Sequence, residues 1–412
     1  MQRTTKNILL ISTAGRCKSN SALSSRLIKY FVDNEYSINN KISDADLILI
    51  NSCGFRKKDI RNSKEAIKNA IKKRNPHSKI VAVGCLNKIN RSILKNISSD
   101  ILIIDDLSDF DSLIEAKKPF ASFKNAHFDK NLFNKIVWQN LVTLEHDINS
   151  MVLSFVTKTI KRLKKKKSIN LGHLETINKE ENFNNTLYVE IGSGCVSNCS
   201  YCVIKKAHGS ICSRPIYDIL IDIKEGYREG ISVNLVATDC GSYGIDKGLT
   251  LFDLIDAINN DFPGIPIDLC YLNPRWLEEY SEKYYKMFNK YNISSANIPV
   301  QSGSDRIIKL MNRKYNVANI LKIVNRIKEI SPTTMLWTHV IIGYPTEAWK
   351  EFRQTIKIVK NFHLTYCFNY SDNKEDSKRT FLDTLQLIIK MIVIRLAIYK
   401  KMLGNLFSSL VS

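Results

Sequence analysis

Ten cysteines are spread over 412 residues, and six of them stand in patterns that could bind iron. The tightest pattern is Cys195-Val-Ser-Asn-Cys199-Ser-Tyr-Cys202. Three soft, deprotonated sulfurs at this C-x3-C-x2-C spacing can wrap a cube-shaped iron–sulfur cluster. Three protein ligands leave the fourth iron open, and an open iron can take a small chelating molecule. Gly192 and Gly194 let the backbone turn tightly beside the loop. The other reading is a zinc knuckle, for which His208 or Cys212 would supply the fourth ligand.

Cys17, Cys53 and Cys85 form the second pattern. They lie in Gly15-Arg16-Cys17-Lys18-Ser19-Asn20, Asn51-Ser52-Cys53-Gly54-Phe55 and Gly84-Cys85-Leu86, each at the end of a short apolar run. Adjacent strands of a parallel sheet end on one edge. Three such cysteines can meet there and hold a second cluster, again with one iron unoccupied. The alternative is three unrelated cysteines packed as small apolar residues. Packing is also the expectation for the remaining Cys212, Cys240, Cys270 and Cys367.

The elements that must position these residues are legible as alternating apolar runs and helical spacings. Ile8 to Ile11, Leu47 to Ile50, Ile80 to Val83 and Ile101 to Ile104 read as buried strands, with helical stretches between them. They imply an α/β fold with a small parallel sheet covered on both faces, over residues 1–118. Signals weaken over 119–185, read as a basic inter-domain connection. Seven of the ten residues from Lys158 to Lys167 are basic and none is acidic. Six further strands begin near Leu187, Val233, Ile267, Ala296, Met335 and Leu364. Six strand–helix units predict an open (β/α)6 partial barrel over 186–380, with functional loops at the C-terminal ends of its strands. Residues 381–412 read as a C-terminal apolar helix. Lys390 and Arg395 interrupt its run from Leu385 to Tyr399, which falls short of a transmembrane segment. The expectation is a helix packed on the body with no stable membrane insertion; a membrane-surface helix is the second reading.

The balance of 61 basic and 40 acidic residues gives a formal charge of +21. It favours an anionic partner such as RNA, although diffuse lysines also make a plain solvated face. The N-terminus carries no secretory signal. The cysteines are therefore expected to be reduced, in a cytoplasmic protein, and not a disulfide framework.

These motifs together resemble the radical S-adenosylmethionine methylthiotransferase family. The Cys195–Cys202 loop looks like the superfamily signature, with Tyr201 as the aromatic residue beside the adenine. The three N-terminal cysteine segments are similar to that family's Gly-Cys-x-x-Asn, Asn-Thr-Cys and Gly-Cys, with Arg16 inserted and Ser52 in place of Thr. Ser213-Arg214-Pro215, Asp239 to Gly244, Pro299 to Asp305, Met311 to Tyr315, Gly343 to Glu347 and Tyr370 to Asp372 match further stretches. The chain departs from the pattern at His339, where Asp is usual, and at Thr346, where Gly is usual. It departs again at His208-Gly209, where Arg-Gly is usual, and at Asn373 to Ser377. The family's small C-terminal β-domain is expected to be absent.

The resemblance implies two [4Fe-4S] clusters and S-adenosyl-L-methionine as cofactors. Cys195, Cys199 and Cys202 would hold the radical-generating cluster. Cys17, Cys53 and Cys85 would hold the sulfur-presenting one. Tyr201, Gln301, Ser302 and Arg313 would contact S-adenosylmethionine; each could instead make an ordinary structural contact. The implied reaction is insertion of a methylthio group at an unactivated C–H bond. A tRNA adenosine beside the anticodon is the first substrate, and a ribosomal-protein or peptide side chain the alternative. A reductant protein is a further implied partner. A non-catalytic iron–sulfur RNA-binding protein is the reading from another class.

Overall fold

A computed structural model of the chain describes residues 6–13, 17–123, 136–138, 186–371 and 380–411. The run Lys158 to Lys167 lies outside the described residues.

The N-terminal strands are β1 (Asn7–Ser12), β2 (Ser37–Ile38), β3 (Leu47–Ser52), β4 (Lys79–Gly84), β5 (Ile101–Ile103) and β6 (Val137–Trp138). Their order is β2-β1-β3-β4-β5, with β6 also on β1, and every pairing is parallel. The apolar runs bury both faces. Ile8 and Leu10 pack with Leu27 and Phe31 of α1 (Lys18–Asp33) on one side. Leu9 and Ile11 pack with Ala66 and Ile67 of α2 (Lys57–Lys73) on the other. Register aligns Ser12 with Asn51 and Ser52 with Gly84, so the residues that follow β1, β3 and β4 leave the sheet at one edge.

This domain runs past the expected boundary. Phe120, Phe123 and Ile136 are buried in its core and β6 extends its sheet, although the segment from 119 reads as a connection. Two-residue strands carry no periodicity, and this explains why β2 and β6 are silent in the sequence.

The second sheet follows the strand–helix alternation. Strands β7 (Thr186–Glu190), β10 (Ser232–Val236), β11 (Ile267–Leu269), β12 (Ile293–Asn297), β13 (Met335–Ile342) and β14 (Leu364–Asn369) pair in parallel, each with the next. A six-stranded parallel sheet in sequential order is the open partial barrel expected from the sequence. A small antiparallel hairpin, β8 (Gly192–Ser193) with β9 (Cys212–Ser213), interrupts it just after β7. Cys212 is exposed on this hairpin, contrary to its expected burial, because successive strand residues face opposite sides and Ser213 takes the buried one. Three short helices matter for the site: α3 (Cys85–Ile89), α6 (Ile204–His208) and α11 (Asp305–Leu310).

The last helix, α14 (Phe381–Val411), lays Leu387, Met391 and Ile394 against Val340, Ile342 and Phe352. Among the described residues, no helix is long and apolar enough to cross a membrane.

Candidate active site

The three N-terminal cysteines are held by the sheet edge and a belt of small polar residues. Cys17 precedes α1, and its carbonyl accepts from the Ser21 backbone N–H at 2.9 Å and from its hydroxyl at 3.0 Å. The Cys53 backbone N–H donates to Thr13 Oγ1 at 3.1 Å and Ser63 Oγ at 3.0 Å. Asn51 Nδ2 donates to the Asn20 carbonyl and to Ser24 Oγ, each at 2.9 Å, tying the end of β3 to α1. Gly84 has φ +95, and a Cβ there would stand 2.5 Å from Asn51 Oδ1. Only glycine lets the chain turn so closely before Cys85 opens α3. Thr13 and Ser63 are supports that sequence reasoning missed; Asn51 stands in the cysteine motif itself, without a role that the sequence could assign.

These thiols sense one another. Burial raises all three; it pushes Cys85 up to about 12, and the neighbouring Cys17 adds to that shift. Cys53 is raised further, by burial first, then by the Asp59 carboxylate, with Cys17 and Cys85 contributing less. Three thiols at one sheet edge that resist ionisation are a donor set that a cationic centre would stabilise.

The second set is built at the end of β7. Gly194, at φ +77, would place a Cβ 1.9 Å from the Ser210 carbonyl oxygen, so the base of the loop admits no side chain. A clamp from beyond β12 grips the loop. The Ser200 N–H donates to the Met311 carbonyl at 3.1 Å, and Asn312 Nδ2 donates to the Asn198 carbonyl at 2.7 Å. Arg313 donates to Tyr201 Oη at 2.9 Å and to Asn273 Oδ1 at 3.0 Å. Asn273 Nδ2 in turn donates to Ser197 Oγ at 3.2 Å. Asp239 accepts from the Asn273 backbone N–H at 3.2 Å and from Trp276 Nε1 at 2.8 Å, completing the network. Burial raises the Cys195 and Cys202 thiols, and the neighbouring Cys199 adds to each.

The other expected contact residues occupy different surroundings. Ser302 is buried; its hydroxyl faces Thr355 Oγ1 at 3.4 Å and accepts from the Ser304 N–H at 3.2 Å. Gln301 sits at φ +68, with its Oε1 buried and without a hydrogen-bond partner. Asn234 Oδ1, both amide atoms of Asn297 and Trp337 Nε1 share that state, on β10, β12 and β13. Buried polar atoms are rarely left unpaired. Five such atoms on four residues of one sheet and its rim therefore mark an interior suited to a polar ligand.

The segments that carry the two cysteine sets touch across the domain seam. His208 ends α6, which follows directly from the Cys202 loop, and its Nε2 lies 3.6 Å from Cys85 Sγ. Helices α3 and α6 pack together. Burial, with Lys88, lowers the His208 pKa. Lys18, next to Cys17, lies 5.4 Å over the Trp337 ring and 6.0 Å over Tyr188. Beyond Cys53, the Lys57 N–H donates to Ser371 Oγ at 3.2 Å, and Arg56 lies 5.6 Å over Phe368. Each N-terminal cysteine segment thus touches the barrel. With His208 directed to Cys85 and Cys212 exposed, neither proposed fourth zinc ligand is spent on the Cys195 loop. Among the described residues, no three His, Cys, Asp or Glu side chains converge on a single metal ion. Ligands of a cuboidal cluster bind separate irons and stand farther apart than ligands of one ion. The donor chemistry of both sets fits such clusters.

Two family models match the chain. "Radical SAM superfamily" covers residues 189–359, and "Uncharacterized protein family UPF0004" covers 9–104. The human threonylcarbamoyladenosine tRNA methylthiotransferase is 27% identical over 339 residues, which is 81% of this chain and 52% of that protein. The threonylcarbamoyladenosine tRNA methylthiotransferase MtaB of Aquifex aeolicus is 27% identical over 86% of this chain and 78% of its own length. The ribosomal protein uS12 methylthiotransferase RimO of a Thermoanaerobacter species is 27% identical over 91% and 78%. The chain thus spans about half the length of the human relative. A cobalamin-dependent S-adenosylmethionine radical enzyme, OxsB, shares the fold at TM-score 0.51 and 12% identity, over 95% of this chain and 56% of that one.

Proposed function

The chain belongs to the radical S-adenosylmethionine methylthiotransferase family, and from that premise we propose that it inserts a methylthio group at an unactivated C–H bond of a tRNA adenosine beside the anticodon. The family brings iron–sulfur clusters and S-adenosylmethionine as cofactors. When bound, they supply a carbon-centred radical and a transferable sulfur. Cys195, Cys199 and Cys202 would hold one cluster, and Cys17, Cys53 and Cys85 the other. Arg313, through Tyr201 and Asn273, keeps the first loop in place. The amides of Asn234, Asn297 and Gln301 offer polar contacts to S-adenosylmethionine inside the barrel.

The observation that carries this reading is the seam. All three N-terminal cysteine segments dock on the barrel, and Cys85 meets the helix that leaves the Cys195–Cys202 loop. Sulfur can reach a substrate radical only if the two sites share one water-poor cavity. The charge of +21 favours a polyanion.

Mass spectrometry of tRNA nucleosides and ribosomal proteins, from cells with and without the protein, tests the proposal. A methylthiolated adenosine found only with the protein is the expected result. A mass gain on a ribosomal protein instead would support the second reading, which the likeness to the uS12-modifying relative favours. Neither change, together with no 5′-deoxyadenosine from the reduced protein, would leave a non-catalytic iron–sulfur protein.

A further inference from the structure

His208 belongs in sequence to the radical loop, but its ring belongs in space to the other cysteine set. It closes a helix of five residues that starts two residues after Cys202. From there the imidazole reaches Cys85, with Nε2 and Sγ 3.6 Å apart. In the free thiol either atom can carry the shared proton. Ligation to iron removes the thiol proton, because only the thiolate is a metal ligand. The imidazole is then the sole donor of the pair, and the sulfur its acceptor.

Resting on the reading that Cys17, Cys53 and Cys85 hold a cluster, we propose that His208 donates an Nε2–H hydrogen bond to the ligating sulfur of Cys85, and so sets the electron affinity of the N-terminal cluster from the opposite domain. The separation suits an N–H···S contact. It is too short for His208 to be a fourth ligand on a different iron, since ligands on two corners of a cube stand well apart. A donor to a ligand sulfur offsets negative charge on the cluster and favours its reduced form. The imidazole acts through Cys85, so His208 is a positioning residue. Because it arrives on α6, the tuning exists only while the two domains are docked.

The test uses the full chain with Cys195, Cys199 and Cys202 changed to Ala, so that only the N-terminal cluster can form. It is reconstituted anaerobically with iron and sulfide and titrated with dithionite under electron paramagnetic resonance. Iron is counted in parallel, with about four irons per chain expected for one cluster. H208F, which has no donor, should shift the midpoint to a more negative potential. H208Q, whose amide keeps an N–H, should stay close to the His208 protein. Equal potentials in the His208 and H208F proteins, with iron fully loaded, would overturn the hydrogen bond. So would an H208Q shift as large as that of H208F, since ring packing would then be the cause. A protein without iron would instead refute the cluster reading itself, and this inference with it.

Discussion

Arg313 is half-buried among partners that its sequence neighbours do not reveal. It bridges Tyr201, 112 residues away, to Asn273, and both belong to the support of the Cys195–Cys202 loop. A guanidinium can serve two acceptors from a rigid fork, whereas an ammonium is a single point donor. R313K should therefore fold but leave one acceptor unpaired, at ~1–3 kcal/mol. With Cys17, Cys53 and Cys85 changed to Ala, the R313K protein should retain less iron and make less 5′-deoxyadenosine than the same protein with Arg313. Equal iron retention would show that the loop needs no clamp. His339 makes a second prediction. It stands among Tyr271, Trp337, Tyr366 and Phe368, with ring centroids 5.1 to 5.8 Å away. Burial, with a smaller push from Lys18, lowers its pKa from 6.5 to about 3. The unfolded chain takes a proton below pH 6.5 that the folded chain refuses until about pH 3. Stability is thus fully present above 6.5 and falls as the pH drops between these values, by at most ~1.4 kcal/mol per pH unit for one proton. H339F should lose that component, measured by urea unfolding at about pH 7 and about pH 5. An unchanged pH slope would refute it.

Helix α14 shows how an element can be recognised while its fastening is missed. Lys390 interrupts the apolar run and reads as a break in it. In the structure its ammonium is buried and donates to the Glu347 carbonyl at 2.8 Å and to Glu347 Oε2 at 3.0 Å. Glu347 Oε2 also accepts from the Gly343 N–H at 2.9 Å, so the helix fastens the turn after β13. Removing one member strands a buried charge. K390M should destabilise the protein by ~3–5 kcal/mol, and joining it to E347Q should recover part of that loss. Urea unfolding of the two variants measures this; equal losses would mean that the pair is not coupled. The same contrast holds elsewhere. The long strands were legible because a buried parallel strand is a continuous apolar run. The hairpin β8–β9 was not, because two residues have no period. The cysteine patterns stood out by type and spacing, and the iron measurement below decides whether they are ligands. Asp239, Asn273 and Thr13 were not, because their roles arise only when distant strand ends are brought together.

At the scale of the molecule, the central fact is that the cysteine-bearing segments of one α/β unit pack against the other unit, with Cys85 against His208. Cys202 and His208 are six residues apart, joined by a single five-residue helix. That short span bridges the radical loop and Cys85. The chain should therefore carry about eight irons as two four-iron clusters. Changing Cys17, Cys53 and Cys85 together to Ala should remove about half of the iron and leave some S-adenosylmethionine cleavage, because the hydrogen bonds that grip the Cys195 loop come from the second sheet and its loops. Iron analysis and 5′-deoxyadenosine measurement decide it. Unchanged iron would mean that the three N-terminal cysteines are packing residues.

The seam also carries its own optical gauge. Trp337 is one of only four tryptophans, and its ring lies under the Lys18 ammonium from the opposite domain. Indole emission responds to a nearby charge and to wetting. The difference in fluorescence between the protein and W337F isolates this one ring. Any event that parts the domains withdraws the ammonium and admits water, so the opening of the seam can be followed in solution, in real time, without a label.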